Sequence, residues 1–410
     1  MNAATDHGHI GAEGQLRIET RLGLAALAAV APALEECLSR TGGDIYFAPG
    51  WVQSWAETWG SHGELRLVLA FDDAQLVGYL PFLVETLWPG PIPVRLARLA
   101  GTDLGHPVMG LPLPFATLPD LAGQCLQRML AELDDVHAVA FSPLAAGLPG
   151  RDILGAGRSA MPFNVAADDQ RHQFTFMPLP GSFDDWLNEL SKSRRREYRK
   201  DLTALAEAGT LSSRRTTADT ALRRLDAFAD LHGQQWQAIG KAGHFGDWPD
   251  ALPFARAAMV RLAPSGRAWI DEHWCGDTLL SAQYGFSQGY RTYWWLIGRT
   301  LDPDLAKLGV GRVGLVERVR DLITRDCTGI EAGAGEYDYK LSYGGTLVPM
   351  GRIVLAAPGA LWRVQWLLRV CDTVDLLYYR IWFLKLAPRI RSRLGLRPRP
   401  LWRLWRRTRL

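Results

Sequence analysis

The stretch Lys307-Leu308-Gly309-Val310-Gly311-Arg312 reads as a turn that opens a helix, and further on the chain runs Gly335-Glu336-Tyr337-Asp338-Tyr339-Lys340. The two glycines leave backbone N–H groups uncovered, and a helix N-terminus favours an anion. Leu308, Gly309, Val310, Gly311 and Arg312 are therefore the candidate cradle for a diphosphate, with Arg312 adding charge. The second segment gathers a carboxylate, two phenols and an ammonium. A cradle for a phosphate-bearing carrier beside a polar cluster suits acyl transfer to an amine or alcohol. Such an acceptor must lose a proton to a nearby base. Glu336 is the first candidate, followed by Glu331 and Asp338. Tyr339 or Tyr343 can protonate a leaving thiolate, and Lys340 can pair with Glu336 or meet the acceptor. His106, on a loop after a strand, is expected to line the cleft. His232 and His244 are further bases or plain structural histidines.

Around this core of chemistry, 410 residues predict two domains with a small additional element, and 48% hydrophobic residues are ample for sizeable cores. Five scattered cysteines without a CxxC pair read as buried thiols rather than a disulfide or zinc framework, and no metal is expected. The net charge is +3, but Arg352–Leu410 holds thirteen Arg and one Lys against Asp372 and Asp375, so this segment carries +12 and the body −9. Nucleic-acid binding by the whole chain is thus not implied by its basic balance. Met1–Gly14 lacks the basic start of a signal peptide, and the apolar run 22–34 reads as a buried helix. No apolar run has the length of a membrane span.

The spacing of apolar residues predicts a strand and a helix over 15–40. A second helix carries Trp51, Trp55 and Trp59 on one core-facing stripe, and a hairpin turns at Asp72-Asp73. Leu96–Ala100 and Ala138–Phe141 read as strands around a helix at 118–133. The second block predicts a strand at 173–177, a basic helix at 193–208, helices at 220–240 and 249–262, a meander of three strands over 267–297, a helix at 311–325 and a strand at 329–332. Arg194–Lys200 suits an anionic acceptor or an ordinary solvated face. The two blocks follow one loose plan, which hints at duplication. The tail, with Arg389–Leu410 built almost wholly of Arg, Leu, Pro and Trp, suits an anionic membrane surface, with nucleic acid or a partner enzyme as alternatives.

In Ala26–Leu38, Phe47–Trp59, Leu76-Val77-Gly78-Tyr79-Leu80-Pro81, Leu99–Asp103, the basic helix Ser191–Gly209, Leu231-His232-x-x-x-Trp236, Leu308-Gly309 and Glu331, Gly335, Glu336, Tyr339 and Lys340, the chain resembles the BioF2-like or CelD-like acyltransferases of the GNAT superfamily. These are similar in plan to the FemABX peptidyltransferases. The resemblance spans residues ~20–355. It departs at Gly105-His106, Glu331 and Tyr337-Asp338, where the family commonly has other residues. It implies an α/β (α+β) fold of tandem GNAT-like domains, each a mixed, mostly antiparallel sheet flanked by helices. A degenerate domain at 15–165, a catalytic domain at 172–355 and a basic helical tail at 360–410 are expected. It also implies direct transfer from acetyl-CoA or another acyl-CoA to a sugar, exopolysaccharide or lipid-linked cell-envelope precursor, on the cytoplasmic face of a membrane. The alternatives are an aminoacyl-tRNA-dependent peptidyltransferase, with tRNA as the nucleic-acid partner, and a non-catalytic scaffold of a polysaccharide-synthesis complex.

Overall fold

The computed structural model describes residues 16–410 except 103–104, 148, 157–160, 242, 249, 388 and 391–401. The polar start Met1–Gly14, Asp103 and much of the Arg/Pro tail lie outside the described residues.

The chain first forms β1 (Arg17–Leu22), α1 (Gly23–Thr41), α2 (Pro49–Trp59), β2 (Glu64–Asp72), β3 (Gln75–Leu87), β4 (Val94–Leu99), α3 (Pro119–Ala131), β5 (Ala138–Ala145) and α4 (Pro149–Ala156). The long β6 (Asn164–Pro178) leads into α5 (Phe183–Glu189), α6 (Lys192–Ala208), β7 (Leu211–Arg215), α7 (Ala221–Gln237), α8 (His244–Asp247) and α9 (Ala251–Leu262). Then come β8 (Ala268–Cys275), β9 (Thr278–Gln288), β10 (Arg291–Arg299), α10 (Pro303–Ala306), α11 (Val310–Thr324), β11 (Gly329–Ala334), α12 (Asp338–Leu341) and β12 (Thr346–Ala356). Helix α13 (Leu361–Val374) continues as a π-helix (Asp375–Leu386), and α14 (Trp402–Arg407) follows.

All twelve strands join one sheet in the order β1-β2-β3-β4-β5-β12-β6-β11-β10-β9-β8-β7. Read from either edge the pattern is the same: three antiparallel pairs, one short parallel pair (β4–β5 or β10–β11), then an antiparallel sixth strand. The duplication hinted at by the sequence is therefore a repeat of strand topology. The sixth strands are exchanged. Strand β6 follows the first half in sequence but pairs with β11, while β12 follows the second half and pairs with β5. Strands β6 and β12 also pair with each other, joining the halves edge to edge. The predicted strand at 173–177 is only the end of β6, which runs through the expected boundary at 165–172.

Helix starts follow local chemistry. The Ser182 and Ser191 side chains accept from the N–H groups of Asp185 and Arg194, capping α5 and α6. The Trp stripe of α2 is core: Trp51 and Trp55 are buried, and Trp51 meets Phe254, Phe286 and Trp295 edge to face. These rings come from both halves, so one main core spans the molecule. The run at 22–34 is helix α1, fixed through Leu27, Leu34, Cys37 and Leu38. All five cysteines are buried and unbridged.

The end of the chain folds back. Trp402 and Trp405 are buried against Tyr379 and Trp248. Arg403 pairs with Asp250, Arg407 with the buried Glu85, and Arg409 with Asp375. Much of the Trp and Arg at 402–410 is thus used inside the protein.

Candidate active site

The site arises where β10 and β11 part. They pair in parallel for only three residues, Arg291–Tyr293 against Gly329–Glu331. Strand β10 then bulges between Trp294 and Leu296 against β9. Beyond the paired residues a cleft of about 790 Å³ opens. Its walls include Trp294–Ile297 of β10, Ala332–Ala334 of β11, and Gly309, Gly311, Arg312 and Leu315 around the start of α11. A parted strand loses ladder partners, and its polar backbone groups need others. Helix α7 supplies two: His232 Nδ1–H donates to the Ile297 carbonyl (2.7 Å), and Gln235 Oε1 accepts from the Arg299 N–H (3.0 Å). His232 Nε2 also accepts from the His244 N–H, and burial lowers the histidine's pKa, so His232 is a structural neutral ring.

Two side chains far apart in sequence meet at the cleft floor. His106 Nδ1 lies 2.5 Å from Glu331 Oε2. A carboxylate accepts, so the ring donates Nδ1–H, and in the neutral tautomer this leaves the lone pair on Nε2. Glu331 is fully buried and also accepts from the Gly333 N–H (2.6 Å) and the Tyr46 hydroxyl (3.3 Å). The imidazole stacks on Trp295, 3.8 Å between centroids at 7°. Gly333 has φ +79°, and a Cβ there would lie 3.0 Å from the ring, so glycine gives His106 its space. The Gly105 carbonyl accepts from the Ala334 N–H, anchoring the histidine loop to β11.

The sequence candidates divide. Lys340, Tyr339 and Tyr343 line the cleft. Lys340 is buried, donates to the Ala332 carbonyl and lies 4.7 Å from the Tyr337 ring centre. Burial lowers its pKa to about 8, with Glu331 opposing. The Tyr343 hydroxyl and the Trp294 indole N–H are buried without a partner, although both residues line the cleft. Donors left so are costly unless a ligand meets them. Glu336 and Asp338 are exposed and outside the cleft lining, whereas Glu331 lies behind His106. The sequence treated His106 as a wall residue and did not join it to Glu331, because nothing local links positions 225 residues apart.

Among the cradle residues, Gly309, Gly311 and Arg312 line the cleft, Val310 is buried beneath it, and Leu308 packs on the smaller core that contains Trp186, Tyr198 and Val316. The Arg312 and Val313 N–H groups turn back to the Gly309 carbonyl. The helix start is not bare of carboxylates. Arg312 pairs with Asp201 (2.8 Å) and lies 3.5 Å from Glu197, both on α6. A Cβ on Gly309 would fall 1.9 Å from Asp201 Oδ2. Burial raises the Asp201 pKa, with Arg312 opposing. Arg194 and Arg299 add cations to the same rim.

Residues 192–341 match the family model of the acetyltransferase (GNAT) domain. No curated protein matches the chain in sequence. Among solved structures, FemX superposes with a TM-score of 0.60 at 10% identity, covering 82% of this chain and 98% of that one. L-PGS from Bacillus licheniformis gives 0.45 at 11% identity, covering 83% and 95%. A tandem GNAT protein from the clavulanic acid biosynthesis pathway gives 0.40 at 11%, covering 83% and 99%. The protein has a tandem GNAT fold of the FemX type, and its second half contains a GNAT domain that holds the cleft.

Proposed function

We propose that the protein is an acyltransferase that moves an acetyl or other acyl group from coenzyme A directly to an amine or hydroxyl of a sugar or cell-envelope precursor. The observation that carries this reading is the His106–Glu331 pair at the floor of a cleft between parted strands of a GNAT domain. His106 Nε2 is the base that takes the acceptor's proton, and Glu331 fixes its tautomer and orientation as a positioning residue. The Tyr343 hydroxyl and Trp294 indole N–H lie buried beside the cleft and would serve the carbonyl oxygen or the departing sulfur once the bound acyl carrier exposes them. Lys340, close to neutral range, steadies negative charge on the β11 side. None of the five cysteines lines the cleft, which favours direct transfer over a cysteine-linked intermediate.

The residues around α11 fit coenzyme A in part. Gly309, Gly311, Arg194 and Arg299 would hold its phosphates, and the bound carrier supplies an activated thioester. Asp201 and Glu197 oppose an anion at Arg312. That opposition favours the second reading, aminoacyl-tRNA-dependent peptidyl transfer, in which no diphosphate sits at this helix. Calorimetric titration of the full chain with acetyl-CoA decides between them. Saturable binding, kept in His106→Ala while transfer to an amino-sugar acceptor is lost, supports the first. Silence towards acetyl-CoA with salt-sensitive binding of aminoacyl-tRNA supports the second.

A further inference from the structure

The helix Leu361–Leu386 has two unlike faces. Val364, Leu367, Leu368 and Cys371 are buried against the sheet. Opposite them, Trp362, Leu376, Leu377 and Leu384 are each about half exposed or more, at 56%, 49%, 57% and 53%. The patch extends to Trp88 on the β3–β4 turn, which is 66% exposed. Its neighbour Pro89 accepts a hydrogen bond from the Trp366 indole (2.8 Å). Scattered exposed apolar residues are ordinary, but a row of them along one helix marks a contact surface.

The charges on this face indicate what covers it. Its exposed ionic residues are Arg369, Arg380 and Lys385. The helix's two acids, Asp372 and Asp375, are already paired, with Arg171 and Arg352 and with Arg380 and Arg409. The sequence beyond it, 387–410, holds nine arginines and no acid. Two copies packed on this face would set cations against cations. Indoles and leucines edged by Arg and Lys instead match the headgroup layer of an anionic bilayer. No helix among the described residues is long and apolar enough to cross a membrane.

We propose that the outer face of Leu361–Leu386 lies in the headgroup region of an anionic lipid bilayer and holds the protein there. The inner face of the same helix connects to the cleft. Tyr379 and Phe383 pack on Trp402 and Trp405, and Trp402 meets Trp248 of the cleft wall at 4.6 Å. Docking rests on surface chemistry and stands whether or not the cleft transfers acyl groups.

Vesicle flotation of the full chain tests it. The protein floats with vesicles of phosphatidylglycerol and phosphatidylcholine and stays down with phosphatidylcholine alone. The double substitution Trp362→Glu, Leu377→Glu lowers the bound fraction about tenfold while the melting midpoint is kept. Arg369→Gln with Lys385→Gln weakens binding several-fold and flattens its salt dependence. No flotation, or equal flotation with both vesicles, overturns the proposal. So does a dimer in light scattering that the first variant dissociates, since the face then belongs to a second copy.

Discussion

The two halves carry the same strand pattern, yet their parallel pairs end differently. In the first half, β4 and β5 pair over Leu96–Arg98 and Ala138–Ala140, and the chain then returns to fill the gap. Val108 bridges in parallel to Leu144, donating to the Pro143 carbonyl and accepting from Ala145. Asp44 accepts from the Met109 and Gly110 N–H groups, and Leu111 and Leu113 are buried behind them. In the second half the corresponding pair stays open. The helix starts differ too. Helix α3 begins at Pro119-Asp120, which removes an amide and places a carboxylate at the helix N-terminus, whereas α11 begins after Gly309. The first wedge is thus filled and its helix start carries Asp120, whereas the second is open and its helix start is faced by Asp201 from α6. The plug still contributes, because its first residues carry His106 across to β11. The two halves thus differ in that one fills its own wedge and places His106 in the open wedge of the other.

Several substitutions sharpen or break this comparison. The largest effect is expected at the delivered side chain. His106→Ala lowers kcat by about 10²–10⁴-fold with the fold intact, measured by acyl-transfer assay and melting curve. Unchanged kcat would return the role of base to the carboxylates. Glu331→Gln should cost about 10–100-fold and shift the pH–rate profile, because an uncharged amide that can also donate replaces the acceptor-only carboxylate that fixes the histidine's tautomer. An unshifted profile makes Glu331 merely structural. In the plug, Leu111→Ala should cost about 2–5 kcal/mol of stability with ligand binding unchanged, read from denaturant unfolding and titration. A change in binding would mean that the first half holds ligand as well.

At the cradle, Asp201→Asn removes a carboxylate from the α11 start and releases Arg312. Affinity for acetyl-CoA should rise about tenfold if the diphosphate sits there, and a loss of affinity would place it elsewhere. The smallest effect concerns pH. The Lys340 pKa falls from 10.5 to about 8 on folding, so between these values the unfolded chain binds more protons than the folded one. The free energy of unfolding therefore rises with pH across this window, by roughly 3 kcal/mol at most, and the full cost of burying the ammonium is present below pH 8. Lys340→Met should flatten that rise in melts taken from pH 7 to 11.

Local elements were legible in the sequence because they depend on neighbours. The Trp stripe of α2, the basic α6, the meander β8–β10 and the glycine start of α11 all follow from spacing and turn residues. Strand β12 was missed: Val348-Pro349-Met350-Gly351 interrupts its alternation, and its partners β5 and β6 lie in the other half and at the junction. Glu336 stood first among the bases because it adjoins Tyr and Lys in sequence, but it is exposed on the loop after β11 and is not among the cleft-lining residues.

The sequence by itself determined a tandem GNAT-like chain with a glycine-led helix start, a buried set of thiols and a basic, aromatic end. Propensity, periodicity and charge reside in short windows, so one strand of text holds them. Tertiary structure decided which wedge stays open, which histidine meets which carboxylate, and that Asp201 faces Gly309 across two helices. Those choices belong to the exchange of β6 and β12 and to the path of 105–113. They arise from packing between segments hundreds of residues apart, where burial and hydrogen-bond satisfaction select partners that no local pattern encodes.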